Sequence, residues 1–489
     1  MSKNFNFKIV LRVIGNLLLL ESIFILSTLL ISLIYQESDW KYFLGTGVFS
    51  ASIGGILLLL TKNAHKKLGK REGAVIVSIT WIIFSFIGML PFWISNSIPS
   101  FTNAFFETMS GFTTTGSSIL NNVEELSYSM LFWRSLTHWI GGMGIIVISL
   151  VLFPMFSYSN MHLFGQEASG PTKEKLTAKV SGTARRLWII YVGLTLSEII
   201  LLRIGNMEWF DAVCNSFGTI ATGGFSTKQA SIAFWPSPYI QYIIILFMLL
   251  SGVNFSLYYF AIKRKFEKIW HNEELKWFLI TVFGFSLIVM FTLINWHTIN
   301  SFSTFELAFR DALFQVTSCL TTTGFITADY MLWKPATWFI IIIAMLIGAS
   351  AGSTSGAIKM VRIVIVFKYF YYEFKHIIHP DAVIPITYSR EVLKNDVVTK
   401  VISFTLLYLF VVVVGFLVLS ASGMGFLDSI GSTVACLGGV GPGMGITGPA
   451  FSFSEIPVFD KWFLAFIMLV GRLELYTFLL LFTPVFWKK

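Results

Sequence analysis

The sequence predicts an all-α integral membrane protein: two N-terminal helices followed by four helix–pore-loop–helix repeats around a pseudo-fourfold pore. Three observations lead to this class. Of the 489 residues, 55% are hydrophobic and only 12% are charged, whereas globular domains carry about 25% charged residues. Ten apolar segments are long enough for helices that cross a bilayer, which takes about 20 residues. Four of these segments are followed by the same short motif, the signature of an internal repeat.

The ten predicted spans are separated by short links, so they form one compact membrane domain. No secretory signal peptide is expected, because the first apolar run is too long for one and lacks a small-residue cleavage site. The eighth span is interrupted by a stretch rich in Gly and Ser. The predicted spans cover residues 9–35, 41–61, 73–95, 131–154, 186–204, 238–261, 276–296, 336–370, 398–421 and 458–486.

Basic residues concentrate in alternate links between the spans. The two termini and the links after the second, fourth, sixth and eighth spans hold most of the 35 basic residues. By the positive-inside rule, these links and both termini are cytoplasmic. The formal charge of +9 therefore reflects topology, and no nucleic-acid partner is expected. The 3 cysteines are too few for a disulfide framework and lack the CxxC spacing of a metal site.

A short apolar segment follows the third, fifth, seventh and ninth spans, and each copy ends in a Thr/Gly turn. The final glycines recur at intervals of 108, 100 and 117 residues. An Asn or Asp thirteen residues earlier predicts the N-cap of a short helix, and a small residue stands six residues earlier. The predicted caps are Asn103, Asp211, Asp311 and Asp428, and the small residues are Ser110, Gly218, Ser318 and Ala435. The four turns are Thr113-Thr114-Thr115-Gly116, Ala221-Thr222-Gly223-Gly224, Thr321-Thr322-Thr323-Gly324 and Gly438-Gly439-Val440-Gly441.

Four such turns at one level of the membrane would form a ring of backbone carbonyl groups. Non-helical backbone at that depth lines a water-filled cavity or is buried in protein. Carbonyl oxygens replace the hydration shell of a cation in a selectivity filter, and the C-terminal ends of the short helices add partial negative charge. Because the turns contain no carboxylate, they suit a monovalent cation better than calcium or magnesium. For any single turn, close packing of spans through small residues is an equally good explanation.

These motifs resemble the four filters of the Trk/Ktr/HKT potassium transporter superfamily. The extra N-terminal pair of spans is similar to the TrkH branch, and so are the segment after the first filter, the interrupted eighth span and the middle of the last span. The filter-like stretches are Phe112–Gly116, Thr219–Thr227, Leu320–Thr327 and Gly438–Gly443, and the other similar segments are His138–Pro154, Gly348–Lys359 and Gly471–Glu474. The resemblance covers essentially the whole chain.

The resemblance implies a potassium site at the sixteen turn residues and a moving part beneath it. In this family a loop below the filter must move for ions to pass, whereas taken by itself the matching stretch is a kink or a close-packing site. An arginine, here Arg472, projects into the pore below the filter and limits flux; a salt bridge to Glu474 or to another span is the alternative. The loop residues are Gly348, Ala349, Ser350, Ala351, Gly352, Ser353, Thr354, Ser355 and Gly356.

The fourth turn departs from the TrkH branch, in which it commonly reads Asn-Asn-Leu-Gly. Here Gly438, Gly439 and Val440 precede the final glycine, which weakens the expectation of strict selectivity for potassium over sodium. All four final positions are nevertheless glycine. In related plant transporters a serine in the first repeat accompanies sodium permeation, so Gly116 favours potassium.

The resemblance also implies partners and a location. The family works as a homodimer in which each subunit has its own pore, together with a cytosolic ring of nucleotide-binding regulatory subunits. We therefore expect membrane lipid around the chain, no covalently bound cofactor, potassium as the substrate and nucleotide only on the regulatory partner. The basic cytoplasmic links, including Tyr371–His379, are candidate docking surfaces. The implied location is the bacterial cytoplasmic membrane, crossed many times.

Three further residues have roles that the sequence leaves open or assigns by position. Glu107, within the first short helix, either attracts cations to the outer mouth or braces the turn. Lys359, just beyond the Gly/Ser stretch, either tethers that stretch or marks the cytoplasmic interface. His138 begins the fourth span and is predicted to anchor it at the outer interface.

The sequence therefore predicts potassium uptake through a channel-like carbonyl filter, gated by an intramembrane loop and a cytosolic regulator. A carrier that couples potassium to sodium or protons is an alternative, because the eighth span is discontinuous; a sensor with a non-conducting pore is another. An enzyme is not expected, since the 7 histidines are scattered and form no catalytic cluster. The predicted divisions are 1–72 for the N-terminal extension and 73–185, 186–275, 276–396 and 397–489 for the repeats.

Overall fold

The computed structural model describes residues 5–63, 69–152, 173–294, 302–382 and 384–487. Across these residues the regular secondary structure is almost entirely helical, with one two-stranded antiparallel hairpin formed by β1 (Thr387–Tyr388) and β2 (Glu391–Val392). Helices dominate because a bilayer offers no water to satisfy the backbone, and a helix satisfies its own. The predicted all-α membrane class is confirmed.

Most of the predicted spans correspond to helices that could cross a membrane. Among the described residues, six helices are long and apolar enough, and two bent helix pairs bring the number up to eight. Two predictions of continuous spans are wrong. The span at 238–261 bends by 95° at a break after Gly252, and the span at 458–486 bends by 114° after Arg472. The end of the span at 131–154 lies outside the described residues.

The two N-terminal helices form a closely packed pair. Gly15 and Gly54 face each other, and a β-carbon on Gly54 would lie 2.8 Å from the carbonyl oxygen of Gly15. The Ser50 hydroxyl donates to the carbonyl of Leu18 at 3.0 Å. Small residues allow such close approach where lipid provides no hydrophobic driving force. The two helices are α1 (Phe7–Ile34) and α2 (Trp40–Leu60).

Four groups of helices follow, each with a long helix, a short helix that ends in a Thr/Gly turn, and a return helix. The return helix is broken in the second, third and fourth groups. The first group comprises α3 (Lys70–Gly88), α4 (Leu90–Ile94), α5 (Phe101–Phe112) and α6 (Tyr128–Leu152). The second comprises α7 (Lys173–Ile204), α8 (Trp209–Ala221), α9 (Pro238–Gly252) and α10 (Phe255–Ile262), followed by α11 (Phe266–Trp270). The third comprises α12 (Glu273–Leu293), α13 (Phe302–Leu320), α14 (Pro335–Ile347) and α15 (Met360–Ile378), and the fourth α16 (Asn395–Ala421), α17 (Phe426–Gly438), α18 (Val458–Arg472), α19 (Tyr476–Leu479) and α20 (Pro484–Trp487).

The predicted N-caps of the short helices are wrong. Ser100 caps α5 and accepts the N–H of Asn103 through its hydroxyl at 3.4 Å. Asp211 and Asp428 lie in the first turns of α8 and α17, and Asp311 lies well inside α13. Asp is also favourable within a first turn, because its negative charge complements the helix dipole. The presence of these residues therefore located the helices but not the residues at which they begin.

Two carboxylates in these first turns hold the chain that follows the Thr/Gly turn of the same group. Asp211 accepts the hydroxyl of Thr227 at 2.7 Å. Asp428 accepts the N–H of Ile446 at 2.8 Å. In both groups the start of the short helix is thus connected to the segment that leaves its end, which fixes the turn between them.

The four groups pack in a closed ring. The return helix of each group packs against the short helix of the next: α6 against α8, α9 against α13, α14 against α17, and α18 against α5. The short helices are therefore enclosed between groups, and every residue of α5 from 104 to 112 is buried. The four Thr/Gly turns consequently meet at the centre of the ring.

Candidate functional site

Each short helix ends in the same hydrogen-bonded turn. The N–H of the third turn residue donates to the carbonyl of the small residue five positions earlier, as in a Schellman C-cap, and the second turn residue is left-handed as that cap requires. The donor–acceptor pairs are Thr115–Ser110 (2.9 Å), Gly223–Gly218 (2.8 Å), Thr323–Ser318 (2.8 Å) and Val440–Ala435 (2.9 Å). The left-handed residues are Thr114, Thr222, Thr322 and Gly439, with φ of 50°, 54°, 57° and 70°. Three threonines thus adopt a conformation that is rare for β-branched residues.

The final glycines join the four turns into a ring. A β-carbon on each glycine would meet the carbonyl oxygen of the third residue of the next turn, and the last turn returns to the first. Both the backbone conformation and the available space therefore require glycine. The glycines are Gly116, Gly224, Gly324 and Gly441, with φ of 86°, 82°, 78° and 98°. The carbonyls they face belong, in that order, to Gly223, Thr323, Val440 and Thr115. The structure thus brings together all four turns that the repeat singled out.

Threonine hydroxyls reinforce the first and third turns from within. The Thr113 hydroxyl donates to the carbonyl of Met109 at 2.7 Å and lies 2.8 Å from the hydroxyl of Thr115. Thr321 and Thr323 are joined at 2.8 Å in the same way. These hydroxyl groups hydrogen-bond within their own turns, so they stiffen the turn backbone.

A cavity of about 80 Å³ lies on one side of the ring. All four final glycines line it, together with serine hydroxyls and the side chains of Arg134 and Lys228. Arg134 is paired with Glu107, whereas the Lys228 ammonium lies 4.8 Å from the centre of the Phe234 ring. The charged side chains that line this cavity are thus both cationic.

The segment from Gly348 to Lys359, named the 348–359 loop, lies against the ring on the other side. It separates α14 from α15. The Gly356 N–H donates to the hydroxyl of Thr322 in the third turn at 2.8 Å. The Thr354 hydroxyl donates to the carbonyl of Ile220, next to the second turn, at 3.1 Å. A β-carbon on Gly356 would meet the carbonyl oxygen of Gly438 in the fourth turn. The loop therefore lies against the third and fourth turns and against the residue that precedes the second turn.

The same loop satisfies the backbone at the break in the second group. The Ser350 N–H donates to the carbonyl of Gly252 at 3.0 Å, and the Phe255 N–H donates to the carbonyl of Gly352 at 3.0 Å. Asn254 caps α10 through its side chain, which accepts the N–H of Ser256 at 2.9 Å. Backbone groups that lack a partner within their own helix at one break thus pair with backbone groups at the other break. Buried backbone requires such partners.

Arg472 connects the loop to the first group of helices. Its guanidinium donates to the carbonyl of Thr354 at 2.8 Å and to the carbonyl of Gly141 at 3.1 Å, and the residue is buried. The alternative of a salt bridge with Glu474 is wrong, since Glu474 pairs with Arg362 at 2.8 Å. The arginine thus holds the loop against the first group of helices.

Lys359 tethers the loop at its end. The residue is buried, and its ammonium group donates to the carbonyl of Ser355 and lies 3.4 Å from the hydroxyl of the same residue. Ser353 and Ser355 hydroxyls are also joined, at 2.8 Å. Of the two roles considered for this lysine, tethering is the one that the contacts support.

Glu107 braces the segment that leaves the first turn. The carboxylate pairs with Arg134 at 2.7 Å, accepts the hydroxyl of Ser118 at 2.9 Å and accepts the N–H of Ile119 at 2.8 Å. Arg134 in turn donates to the carbonyl of Ser226 in the second group at 3.0 Å. The side chains of the pair are almost fully buried. Its role is structural bracing, not attraction of cations from an exposed position.

The prediction that His138 anchors a helix at the outer interface is wrong. The side chain is fully buried, its Nδ1 lies 2.7 Å from the carbonyl oxygen of Gly111, and its ring stacks on Phe225 at 4.0 Å. A β-carbon on Gly223 would meet the same ring. His138 therefore supports the second turn from behind, which its position near the start of an apolar helix did not reveal.

Comparison with known proteins identifies the family. A family model described as "TrkH: Cation transport protein" matches residues 40–489. The Trk system potassium uptake protein TrkH of Escherichia coli strain K12 is 36% identical over 487 residues, which cover 99% of this chain and 100% of that protein. The chain belongs to the TrkH family of cation transport proteins. TrkH is a family of transporters and not of enzymes, and the resemblance read from the motifs is confirmed.

Other members of the TrkH family agree in sequence and in structure. The Trk system potassium uptake protein TrkG of Escherichia coli strain K12 is 33% identical over 99% of both chains. The crystal structure of the potassium transporter TrkH from Vibrio parahaemolyticus matches with a TM-score of 0.90 at 33% identity, covering 99% of this chain and 100% of that one. The fold described above is therefore the TrkH fold over essentially the whole chain.

Sequence reasoning missed two features of this TrkH-family site. The first is the break at Asn254, for which Gly252 and Asn254 within an otherwise apolar run were a usable signal. The second is Glu274, a buried residue that accepts one hydrogen bond from the 348–359 loop and one from the first turn of α15. No local signal marks Glu274, because a carboxylate at the start of a helix is ordinary and its partners lie far along the chain.

Proposed function

We propose that this chain is a potassium uptake protein that conducts K⁺ across the membrane through the ring of four Thr/Gly turns. The observation that carries the proposal is the closed ring, in which each final glycine faces a carbonyl group of the next turn. A ring of carbonyl oxygens with helix C-termini directed toward it is suited to a dehydrated monovalent cation. The relatives named as potassium uptake proteins support the choice of ion.

In this proposal the sixteen turn residues are the potassium filter, the stretch 348–356 is the gate and Arg472 is a barrier beneath the filter. The contacts of Gly356 with the third and fourth turns, and of Thr354 with the residue before the second turn, support an obstructing position of the gate. A positive charge below the filter repels cations and so limits their flux. Conduction then requires that the loop and the arginine move aside.

The second candidate is a carrier that couples potassium to sodium or protons. Discontinuous helices near the midplane are typical of coupled carriers, and three return helices in this chain are broken, two of them by bends of 95° and 114°. Coupling would require alternating access, whereas the channel-like proposal requires only release of the gate. The two candidates therefore differ in the driving force that they need.

The deciding experiment is cation flux into proteoliposomes under an imposed voltage with no other gradient. We expect potassium flux that follows voltage alone and exceeds sodium flux. Gly116→Ser should lose this discrimination, because a β-carbon there meets the carbonyl oxygen of Gly223. Gly55→Ser is the matched control, since a β-carbon on Gly55 meets nothing within 4 Å. Flux that begins only when a sodium or proton gradient is added would contradict the channel-like proposal and favour the carrier.

We further propose a homodimer, a cytosolic nucleotide-binding regulatory ring and a location in the bacterial cytoplasmic membrane with both termini cytoplasmic. Basic links and the exposed aromatic side chains of α15, such as Tyr371 and Phe374, support a cytoplasmic docking surface. We also propose the division into 1–72, 73–185, 186–275, 276–396 and 397–489. The ring of contacts between helix groups supports four repeats, and the proposed boundaries lie inside α3, α7, α12 and α16. Light scattering of the purified protein tests the dimer, and a mass of one chain would contradict it.

A further inference from the structure

The two ends of the 348–359 loop are held by one carboxylate. Oε1 of Glu274 accepts the N–H of Ala351 at 2.7 Å and the N–H of Val361 at 3.2 Å. Ala351 lies near the start of the loop, and Val361 is in the first turn of α15, immediately after it. The glutamate residue is 1% exposed. Because one buried carboxyl oxygen accepts both hydrogen bonds, Glu274 keeps the two ends of the loop together.

The neighbouring residue, Glu273, contacts the cytoplasmic hairpin. Its carboxylate pairs with Lys368 of α15 at 2.5 Å and accepts the N–H of Ser389 at 2.9 Å. Lys368 also donates to the carbonyl of Thr387 at 2.7 Å. Ser389 is at the tip of the hairpin formed by β1 and β2. Glu273 and Lys368 therefore attach the hairpin to α12 and to α15.

The parts of this connection are stiff. Ser389 and Arg390 both have positive φ, 48° and 67°, the pattern of a tight two-residue hairpin turn. Asn272 caps α12 by accepting the N–H of Leu275 at 2.8 Å. Both glutamates are in the first turn of α12, where the helix dipole favours negative charge. A displacement of the hairpin would therefore move the first turn of α12 and not be absorbed by a flexible linker.

We infer that Glu273 and Glu274 form a coupling element between the cytoplasmic hairpin and the 348–359 loop. Glu274 is a positioning residue that keeps the loop across the pore. Glu273, in the same turn of α12, connects that turn to the hairpin. Movement of the hairpin away from α12 releases the loop. This inference rests on the proposed function in one respect only, namely that the loop obstructs conduction when it is held.

Two measurements test the element: potassium flux into proteoliposomes driven by voltage, and labelling of Ala349→Cys by a water-soluble thiol reagent from the cytoplasmic side. Ala349 is fully buried in the loop, so a cysteine there reacts only when the loop is released. The native cysteines Cys214, Cys319 and Cys436 are all buried, which keeps the background labelling low.

Glu274→Ala removes the acceptor of both hydrogen bonds and should raise both flux and labelling by about tenfold. Glu274→Gln keeps a side-chain oxygen acceptor and should raise both by a smaller factor. Glu273→Gln and Lys368→Met break the attachment of the hairpin without touching the loop. They should change both readouts in the same direction by a smaller factor. Glu267→Gln, a change at an exposed carboxylate in α11, is the matched control and should change neither.

The outcomes separate the inference from the proposed function. Unchanged labelling in Glu274→Ala would overturn the hold on the loop. Increased labelling in Glu274→Ala but not in Glu273→Gln or Lys368→Met would overturn the coupling to the hairpin, because a purely local anchor predicts that result. Increased labelling in all three, with no potassium flux from any variant or from the parent, would support the coupling element and refute the transport proposal.

Discussion

The ring of carbonyl groups can be tested by a pair of glycine substitutions that differ only in what the new methyl group touches. Gly441 has φ of 98° and is the final glycine of the fourth turn; Gly423 has φ of 100° and lies in the link between α16 and α17. A β-carbon on Gly441 would lie 2.8 Å from the carbonyl oxygen of Thr115, whereas a β-carbon on Gly423 would meet nothing within 4 Å. Alanine at either position therefore imposes the same backbone strain, but only Gly441→Ala disturbs the ring.

The expected magnitudes follow from these contacts. A left-handed conformation costs a residue with a β-carbon about 1–2 kcal/mol, so both variants should lose that much stability. Ordinary contact with a β-carbon begins at 3.4 Å, so in Gly441→Ala the Thr115 carbonyl must move by several tenths of an ångström. A change of about 1.4 kcal/mol in the free energy of potassium relative to sodium in the ring changes the ratio of their fluxes about tenfold. We therefore expect Gly441→Ala to lose about tenfold in discrimination of potassium from sodium.

The assay is the ratio of potassium to sodium flux into proteoliposomes at equal voltage, with thermal unfolding of the same preparations measured in parallel. Gly423→Ala should unfold at a lower temperature than the parent and keep the parent's flux ratio. Gly441→Ala should show both changes. If Gly441→Ala kept the parent's flux ratio, or Gly423→Ala lost as much discrimination as Gly441→Ala, the argument that the ring of carbonyls selects the ion would be refuted.

Three further predictions concern charged residues near the ring. Arg472→Gln should raise voltage-driven potassium flux about tenfold, because it removes charged hydrogen bonds to the loop and to Gly141; an unchanged or lower flux would contradict this. Glu107→Gln leaves the buried Arg134 unpaired and should lower the free energy of unfolding by about 3–5 kcal/mol, measured by thermal unfolding. The control Asp396→Asn breaks an exposed pair and should lower it by at most about 1 kcal/mol. Equal losses in the two variants would count against the bracing role of Glu107. Lys228→Gln removes a positive charge from the cavity beside the ring and should raise potassium uptake at low external potassium about twofold. High salt should abolish this rise, because it screens the charge. A rise that persists in about 1 M salt would exclude an electrostatic origin.

Much of the ring could be predicted from the sequence because its requirements are local. A Schellman C-cap depends on six consecutive residues, and the second turn residues and final glycines have the same φ sign in all four copies. Gly439 illustrates this point. The fourth turn differs in sequence from the other three, yet Gly439 adopts the left-handed conformation of Thr114, Thr222 and Thr322, since backbone geometry and not side-chain identity defines the turn.

The breaks in the return helices were less predictable because hydropathy measures only the transfer of side chains to lipid. It does not report whether a backbone N–H finds its partner within the helix or elsewhere. At Gly252 and Phe255 the partners are Ser350 and Gly352, about 100 residues later in the chain. A bend with distant partners therefore has the same hydropathy as a straight helix.

Composition, periodicity and glycine placement were enough to predict a lipid environment, four repeats and the position of the four turns, because all three are properties of short stretches of chain. The side chains that surround those turns could be identified only in the folded molecule. His138 lies behind the second turn, Arg472 holds the loop, and Glu273 and Glu274 connect the loop to the hairpin. Each of these contacts joins groups that are distant in sequence. Their energies depend on burial and on partner geometry, which exist only once the helix groups have closed into a ring.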